Sequence, residues 1–468
     1  MTRTPLGHRR PRRVRRALPA RPASGVATLT IVMLLFFVMA MVAAYANRNL
    51  IYEQRVSVNN YRATTATSAA DAGIDWAVAM LSGGRLDATC QPSVNVADSD
   101  FRSRYFQTQA DGSYNHFTWV DPADPVAPRP RTVACVMTDA PVGPGSAWQC
   151  SCPIDARPTL PFVQGPAPVF RLEFIGMPGS PGRVVVRARG CSSMGYSTTI
   201  EADPNQATAC QSAYGSVRPW VDAVTDLQIT LGLARALPIP PVAALTVGDT
   251  ITMAGANLLT VSNPDARTGV TLHTGRPIVA ATPPALIGPA GSRGAGSTSL
   301  DDPELLLRSA PPAGRLDLFQ TLFGMDAGTY SRQPSSVMVN CPLGCTSASI
   351  AGAVANNPGR VIWVAGDINL NDAGALGTAA VPVMLVATGD VRVSAVVTVN
   401  GFVFSGRDIQ WAATAAGSTI IGSVVATRNF QGDAPVTIAY DADIMQRISL
   451  GYGSFVRVPG SWQNTTLQ

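Results

Sequence analysis

Hydrophobic and polar positions alternate in three different ways along this chain. Residues 26–46 carry no charge and are broken only by Thr28, Thr30 and Tyr45. About 20 apolar residues at 1.5 Å each span about 30 Å as a helix, the thickness of a bilayer's hydrocarbon core. From residue 47 the pattern becomes amphipathic, with no proline until Pro92. Ile74, Ala77, Val78 and Leu81 fall at i, i+3, i+4 and i+7, one face of a helix, and Gly83-Gly84 supplies a stop. The spacing predicts one helix from Val26 to Leu81, about 80 Å long.

Beyond Gly84 the period shortens to two. Residues 85–168 read as loop-rich, with Pro92, Asp121-Pro122, Asp124-Pro125 and Pro128-Arg129-Pro130. Residues 169–175, 183–189 and 227–231 alternate as strands, three in number, to be packed on the end of the long helix. Pro238, Pro240 and Pro241 mark a linker. After Val242, strands begin at Gly248-Asp249, and Gly366-Asp367, Gly389-Asp390 and Gly406-Arg407-Asp408 recur at roughly 20-residue intervals. Short strands restarted at that period suggest stacked solenoid rungs, with two packed sheets as the alternative. A Pro/Gly/Ser-rich excursion occupies 277–300, and Leu316, Phe319, Leu322 and Phe323 predict a small helix ending at Gly324. The tail, with Asp443-Ile444-Met445 and 458–462, reads as a cap on the last rung. The expected class is α+β: a long N-terminal helix over 26–84, a β-rich head over 85–241, a solenoid-like or sheet body over 242–440 with an insertion near 277–340, and a cap over 441–468.

Charge changes the reading of the N-terminus. The formal net charge is +5, yet Arg3, Arg9, Arg10, Arg12, Arg13, Arg15, Arg16 and Arg21 all precede Val26, which leaves 27 basic against 30 acidic residues elsewhere. Directly before an apolar run, such a block is the cytoplasmic flank that sets orientation, rather than a nucleic-acid patch. Residues 1–25 are therefore a leader, whose true start codon lies at Met1 or downstream. A cleaved secretory signal has a shorter apolar core, so the segment is expected to be retained and the body to face the periplasm. Arg9-Arg10 makes only a weak twin-arginine signal, since proline follows at once.

Eight cysteines, Cys90, Cys135, Cys150, Cys152, Cys191, Cys210, Cys341 and Cys345, all lie beyond the apolar run. An even number in an exported body suits disulfides. On the order of a hundred pairings are open. Neighbourhood favours Cys191–Cys210 and Cys341–Cys345, and sends Cys150 and Cys152 each to another partner. With only His8, His116 and His273, and no C-x-x-C, a zinc site is not expected.

One stretch is similar to a known family. Gly25-Val26-Ala27-x-Leu29-x-x-x-Met33-Leu34-Leu35, then 47–55 (Asn-Arg-Asn-Leu-Ile-Tyr-Glu-Gln-Arg) and 69–77 (Ala-Ala-Asp-Ala-Gly-Ile-Asp-Trp-Ala), resembles the PilX-type minor pilins of type IV pili. The resemblance covers about the first 85 residues and, loosely, the β-rich remainder. It implies cleavage by prepilin peptidase after Gly25 and N-methylation of Val26. It also implies that Val26, Leu29, Thr30, Ile31, Leu34, Leu35, Phe36 and Phe37 belong to a helix that packs with its counterparts in membrane lipid and then in the filament. The implied partners are other minor pilins, the major pilin, a tip adhesin and the inner-membrane assembly platform. The implied location is the bacterial inner membrane, single-pass, then the pilus tip or cell surface. Most pilins carry glutamate at the fifth position after cleavage; here Thr30 stands there. PilX-type and GspK-type subunits share that lack and are placed at filament tips, so a type II secretion pseudopilin is the nearest alternative.

Candidate chemistry is sparse. Asp367, Asp390 and Asp408 follow the rung glycines and would suit a tethered carbohydrate-active enzyme, for which carboxylate pairs stand about 5–10 Å apart. The simpler account is turn chemistry, with each Asp bonding its own backbone. Asp367-x-Asn369-x-Asn371 opens like a calcium loop but has Asp372 at the sixth place and Thr378 at the twelfth. Trp363, Trp411 and Trp462 are expected in the core or cap rather than in a sugar-stacking row. With His116 and His273 the only histidines beyond the leader, no Ser/His/Asp triad is expected. No P-loop or Rossmann fingerprint occurs. No catalysis, cofactor, resident metal or nucleic-acid partner is expected.

Overall fold

The computed structural model describes residues 26–95, 97–121, 124–138, 148–161, 163, 167–193, 210, 223–255, 258–278, 284–292, 298–310, 317–341 and 344–464. The class is α+β, with a long apolar N-terminal helix followed by a β-rich body. The first element is a single helix, α1 (Val26–Leu81), 56 residues without a break. The chain divides into two units, residues 1–61 and 62–468.

In the second unit, residues 62–81 of α1 lie on an antiparallel seven-stranded sheet. Its order is Gly453–Arg457, Val224–Arg235, Arg183–Cys191, Val169–Gly176, Thr132–Met137, Trp148–Ser151, with Gln463–Asn464 also on Val224–Arg235. Strict alternation along Arg183–Cys191 and Val224–Arg235 turns Val184, Val186, Ala188, Leu227, Ile229 and Leu231 inward. They meet Ala70, Ile74, Ala77 and Leu81, the buried stripe of α1. Val78 is only half-buried, at the edge of that stripe.

This head departs from the expected three strands. Thr132–Met137 is an inner strand of the sheet, buried at its first five positions. The Pro-rich stretch read as loop contains Thr118–Asp121 and Asp124–Pro130, an antiparallel ribbon of two strands. Prolines are tolerated there because neither strand needs a second partner. The tail is not simply a cap on the body. Its helix Ala442–Gly451 packs on the strands Val397–Ser405 and Ser418–Ala426, but Gly453–Arg457 and Gln463–Asn464 return to complete the head sheet. The Pro238–Pro241 stretch is therefore no tether: the Ala236 amide before it bonds the Tyr452 carbonyl, and head and body fall in one compact unit.

The body is a parallel β-coil with three faces. Val397–Ser405 shows how: residues 397–399 pair with Gly374–Leu376, whereas 401–405 pair with Val383–Ala387, so one strand bends from one face to the next. Ser418–Ala426 repeats the bend one rung on. One face alternates between core and solvent, as in Ile368–Leu370, Val391–Val393 and Ile409–Trp411. Another is buried throughout at Val361–Val364 and Val383–Ala387. Its rings Trp363 and Phe404 pack edge-on against Phe319 of the helix Leu318–Phe323. Trp411 is buried within the coil, and Trp462 is half-exposed.

Rung order is not chain order. Ala243–Val247, Ile251–Met253 and Leu259–Ser262 stack on Ser418–Ala426, Phe430–Gly432 and Val436–Ala439. The earliest rung in sequence thus lies beyond the latest. Ala285–Ile287 and Ser299–Asp301, inside the stretch expected as an insertion, stack further on that side against Leu259–Ser262 and Val270–Thr274, and the chain then returns to the far end. Coil growth resumes there with Ser336–Val339 against Val361–Val364.

The eight cysteines pair as Cys90–Cys152, Cys135–Cys150, Cys191–Cys210 and Cys341–Cys345. Chain-entropy reasoning ranks them. Cys90–Cys152 spans 62 residues and Cys341–Cys345 only four, which corresponds to about 4 against about 2 kcal/mol. The double variant Cys90→Ser, Cys152→Ser is expected to lose about twice the unfolding free energy that Cys341→Ser, Cys345→Ser loses, measured by urea denaturation. Equal losses would contradict the ranking.

Candidate functional site

The first unit is described from Val26 to Tyr61. Leu29, Ile31, Leu34, Leu35, Phe36 and Phe37 stand between 52% and 75% exposed, and the apolar stretch is buried nowhere. Fully burying one such side chain contributes roughly 1.5–3 kcal/mol. A helix leaving this many in water has its medium elsewhere, in lipid or among other helices. It is long and apolar enough to cross a membrane. Apolar side chains surround the whole circumference, the pattern of a span rather than of a surface helix. Arg48, Glu53 and Arg55 end the apolar stretch. Tyr45 and Tyr52, about two-thirds exposed, stand at that border, where amphipathic rings are favoured. Thr30 lies within the helix and faces out. A threonine hydroxyl can bond a carbonyl one turn back along its own helix, so it needs no partner from another chain. Val26 is the first helical residue, and Gly25 and the leader lie outside the described residues.

In the coil, the acids considered for catalysis form a structural row. The Asp390 amide donates to the Asp367 carboxylate at 2.8 Å, and the Asp408 amide to the Asp390 carboxylate at 3.1 Å. Asn429 then donates its amide and its Nδ2 to Asp408, both at 3.0 Å. Each side chain thus bonds the next rung rather than its own backbone, which corrects the expected turn chemistry. The preceding glycine makes room: a Cβ on Gly389 would sit 2.0 Å from the Asp367 oxygen. Arg407 closes the row with Nη2 2.5 Å from Asp367 and Nε 3.3 Å from Asp390. These carboxylates join one rung to the next. The Asp390 amide, then Arg407, hold the Asp367 carboxyl below the usual carboxylate range.

That shift predicts an acid dependence. A carboxyl depressed in the folded state contributes stability above its unfolded pKa of about 4, and the contribution is lost as pH falls through the lower folded value. Asp367→Asn keeps the acceptor for the Asp390 amide but cannot titrate. Its melting temperature is expected to fall less steeply than that of the natural chain below about pH 4. Parallel curves would contradict the role given to Asp367.

The other candidates are dispersed. Asn369 accepts the Ser394 hydroxyl and Asn371 the Ser347 amide, so the calcium-like spacing is divided among separate partners. Among the described residues, no group of three or more His, Cys, Asp or Glu is arranged to hold a metal ion. His273 Nε2 lies 3.1 Å from Asp302, a pair whose two halves are 29 residues apart in sequence. Sequence reasoning also missed a cleft lined by Arg85, Arg102, Arg360 and Arg447. Arg85 and Arg102 lie in one neighbourhood of the chain, Arg360 and Arg447 far from it and from each other, and no local pattern joins the three regions.

No family model matches the chain, and no curated protein matches it. Among solved structures, the competence-associated pilin ComZ from Thermus thermophilus aligns over 86% of this chain and 98% of its own, at 9% identity and a TM-score of 0.20. A likeness at that score carries no argument about fold or function.

Proposed function

We propose that this protein is a minor pilin of PilX type: an inner-membrane precursor, cleaved after Gly25, that joins a tip complex priming type IV pilus assembly. The observation that carries the reading is α1 itself. Its first stretch leaves every apolar side chain from Leu29 to Phe37 outside any core, and its last five turns are buried against a β-sheet. A basic leader and a small-residue junction precede it. The arginine block stays cytoplasmic by the positive-inside rule, so the disulfide-bonded body faces the periplasm. Association, not catalysis, is the mechanism: 26–46 packs with the matching helices of other minor pilins and the major pilin, first in lipid and then in the filament.

Thr30 gives the subunit its place. A glutamate there would be buried in the apolar core and would need the amino terminus of a neighbour to offset its charge. Threonine makes no such demand, which suits a subunit at the tip, with the body presented outward beside an adhesin. A photo-crosslinking residue at Phe36 tests this. Crosslinks to minor pilins, with the chain recovered in sheared pili, support the reading. Crosslinks only to secretion pseudopilins would assign the chain to that machine instead. No crosslink to any pilin-like subunit would overturn both.

A further inference from the structure

A cleft of about 780 Å³ opens where the start of the head, the coil and the helix Ala442–Gly451 meet, all within the second unit. That volume is in the range of small-molecule sites. Four guanidiniums line it, from Arg85, Arg102, Arg360 and Arg447, and none forms an ion pair among the described residues. Arg102 is committed to the fold: it donates to the carbonyls of Leu81, Gly451 and Gly453 and stacks over Phe455 at 4.9 Å. Arg360 donates to the Pro334 carbonyl, yet its Nε is buried without a partner, and so is Nη1 of Arg85. Burial, then the nearby Arg102 charge, holds the Arg360 guanidinium below its ordinary pKa. Among the described residues the Arg447 side chain makes no hydrogen bond, and it stands exposed on its helix.

Three acids also line the cleft. Asp98 accepts the Ser93 hydroxyl, and Asp100 caps the helix Phe101–Tyr105 through Ser103. Asp443 occupies the first turn of its own helix and forms no ion pair among the described residues. None neutralises the arginines by contact. Holding the Arg360 guanidinium beside that of Arg102 is unfavourable, and an oxyanion in the cleft would offset that repulsion. Guanidinium forks match phosphate and sulfate oxygens in pairs.

We propose that this cleft binds a small phosphate or sulfate ester, its oxyanion held by Arg85, Arg360 and Arg447 and its remainder resting on Val381, Pro382 and Leu450. Such an ester comes from a soluble sugar phosphate or from a lipid headgroup, and the chemistry at the arginines is the same.

Calorimetry on the detergent-solubilised full chain tests it, with glucose 6-phosphate, glycerol 3-phosphate as the headgroup probe, and glucose. One site per chain with Kd below about 1 mM is expected for at least one of the esters, and none for glucose. The tighter ester assigns the source. Arg447→Gln, which breaks no bond in the fold, is expected to weaken binding about tenfold. Arg360→Gln is expected to do the same, and Arg392→Gln, on the exposed face of the coil, to leave it unchanged. No binding of either ester overturns the proposal, as does equal binding by the Arg447→Gln variant or equal affinity for glucose. None of these outcomes touches the assembly role, which rests on α1 alone.

Discussion

The paired substitution Leu35→Arg, Val38→Arg is expected to release the chain from the membrane. Both positions lie in the apolar stretch of α1, 52% and 49% exposed, near the midpoint of 26–46. On insertion scales an arginine at a helix centre costs about 3 kcal/mol and leucine or valine is mildly favourable, so the pair costs about 6 kcal/mol or slightly more. That shifts the insertion equilibrium by a factor on the order of ten thousand. The variant should leave the fraction that resists alkaline carbonate extraction. Leu35→Ile should stay in it, because only volume and branching change. Retention of the double arginine variant would mean that the helix is held by something other than lipid.

The second large effect is expected in the coil. Gly422 has φ of 138°, and a Cβ there would lie 2.0 Å from the Gly401 carbonyl oxygen. Gly401 stands in the same situation against Val383 on the next rung. These two residues mark the bends at which one strand passes from face to face. Gly422→Val meets two penalties at once, a backbone region that side chains disfavour and a clash with a neighbouring rung that packed strands cannot move aside. Each contributes roughly 1–3 kcal/mol, so a loss of at least about 2 kcal/mol is expected. Gly374→Ala, where no atom lies within 4 Å of the added carbon, should change stability by less than about 0.5 kcal/mol. Urea denaturation read by circular dichroism compares the two. Similar losses at both positions would contradict the three-faced arrangement.

Some elements are visible in the sequence because a single period governs them. α1 is one: no proline or glycine pair interrupts 26–81, and Ile74, Ala77 and Leu81 keep helical spacing to its end. Val169–Gly176, Arg183–Cys191 and Val224–Arg235 are others, since each has one face in the core and one in solvent. Thr132–Met137 escapes the same test because it is buried nearly throughout, so nothing alternates. The recurrence of Gly-Asp signals the rungs, but not the bond each carboxylate makes to the next one. Local sequence is silent on why 243–247 stacks on 424–426, a pairing across about 180 residues decided only by which strand edge remains open. The strands after Gly451 and the arginine cleft are hidden for the same reason: their meaning depends on partners hundreds of residues away. For the candidate site the division is sharp. Leu29 to Phe37 can be read directly, because a helix long and apolar enough to cross a membrane is a property of one segment. The cleft cannot.

Mass spectrometry of the N-terminal peptide, from cells with and without prepilin peptidase, tests the central claim most directly. The account predicts a peptide that begins with N-methylated Val26 when the peptidase is present, and the intact leader when it is absent. Leader residues that persist in both strains, or a mature terminus near Ala46, would contradict it and leave the coil and its head as the body of a different kind of anchored or secreted protein.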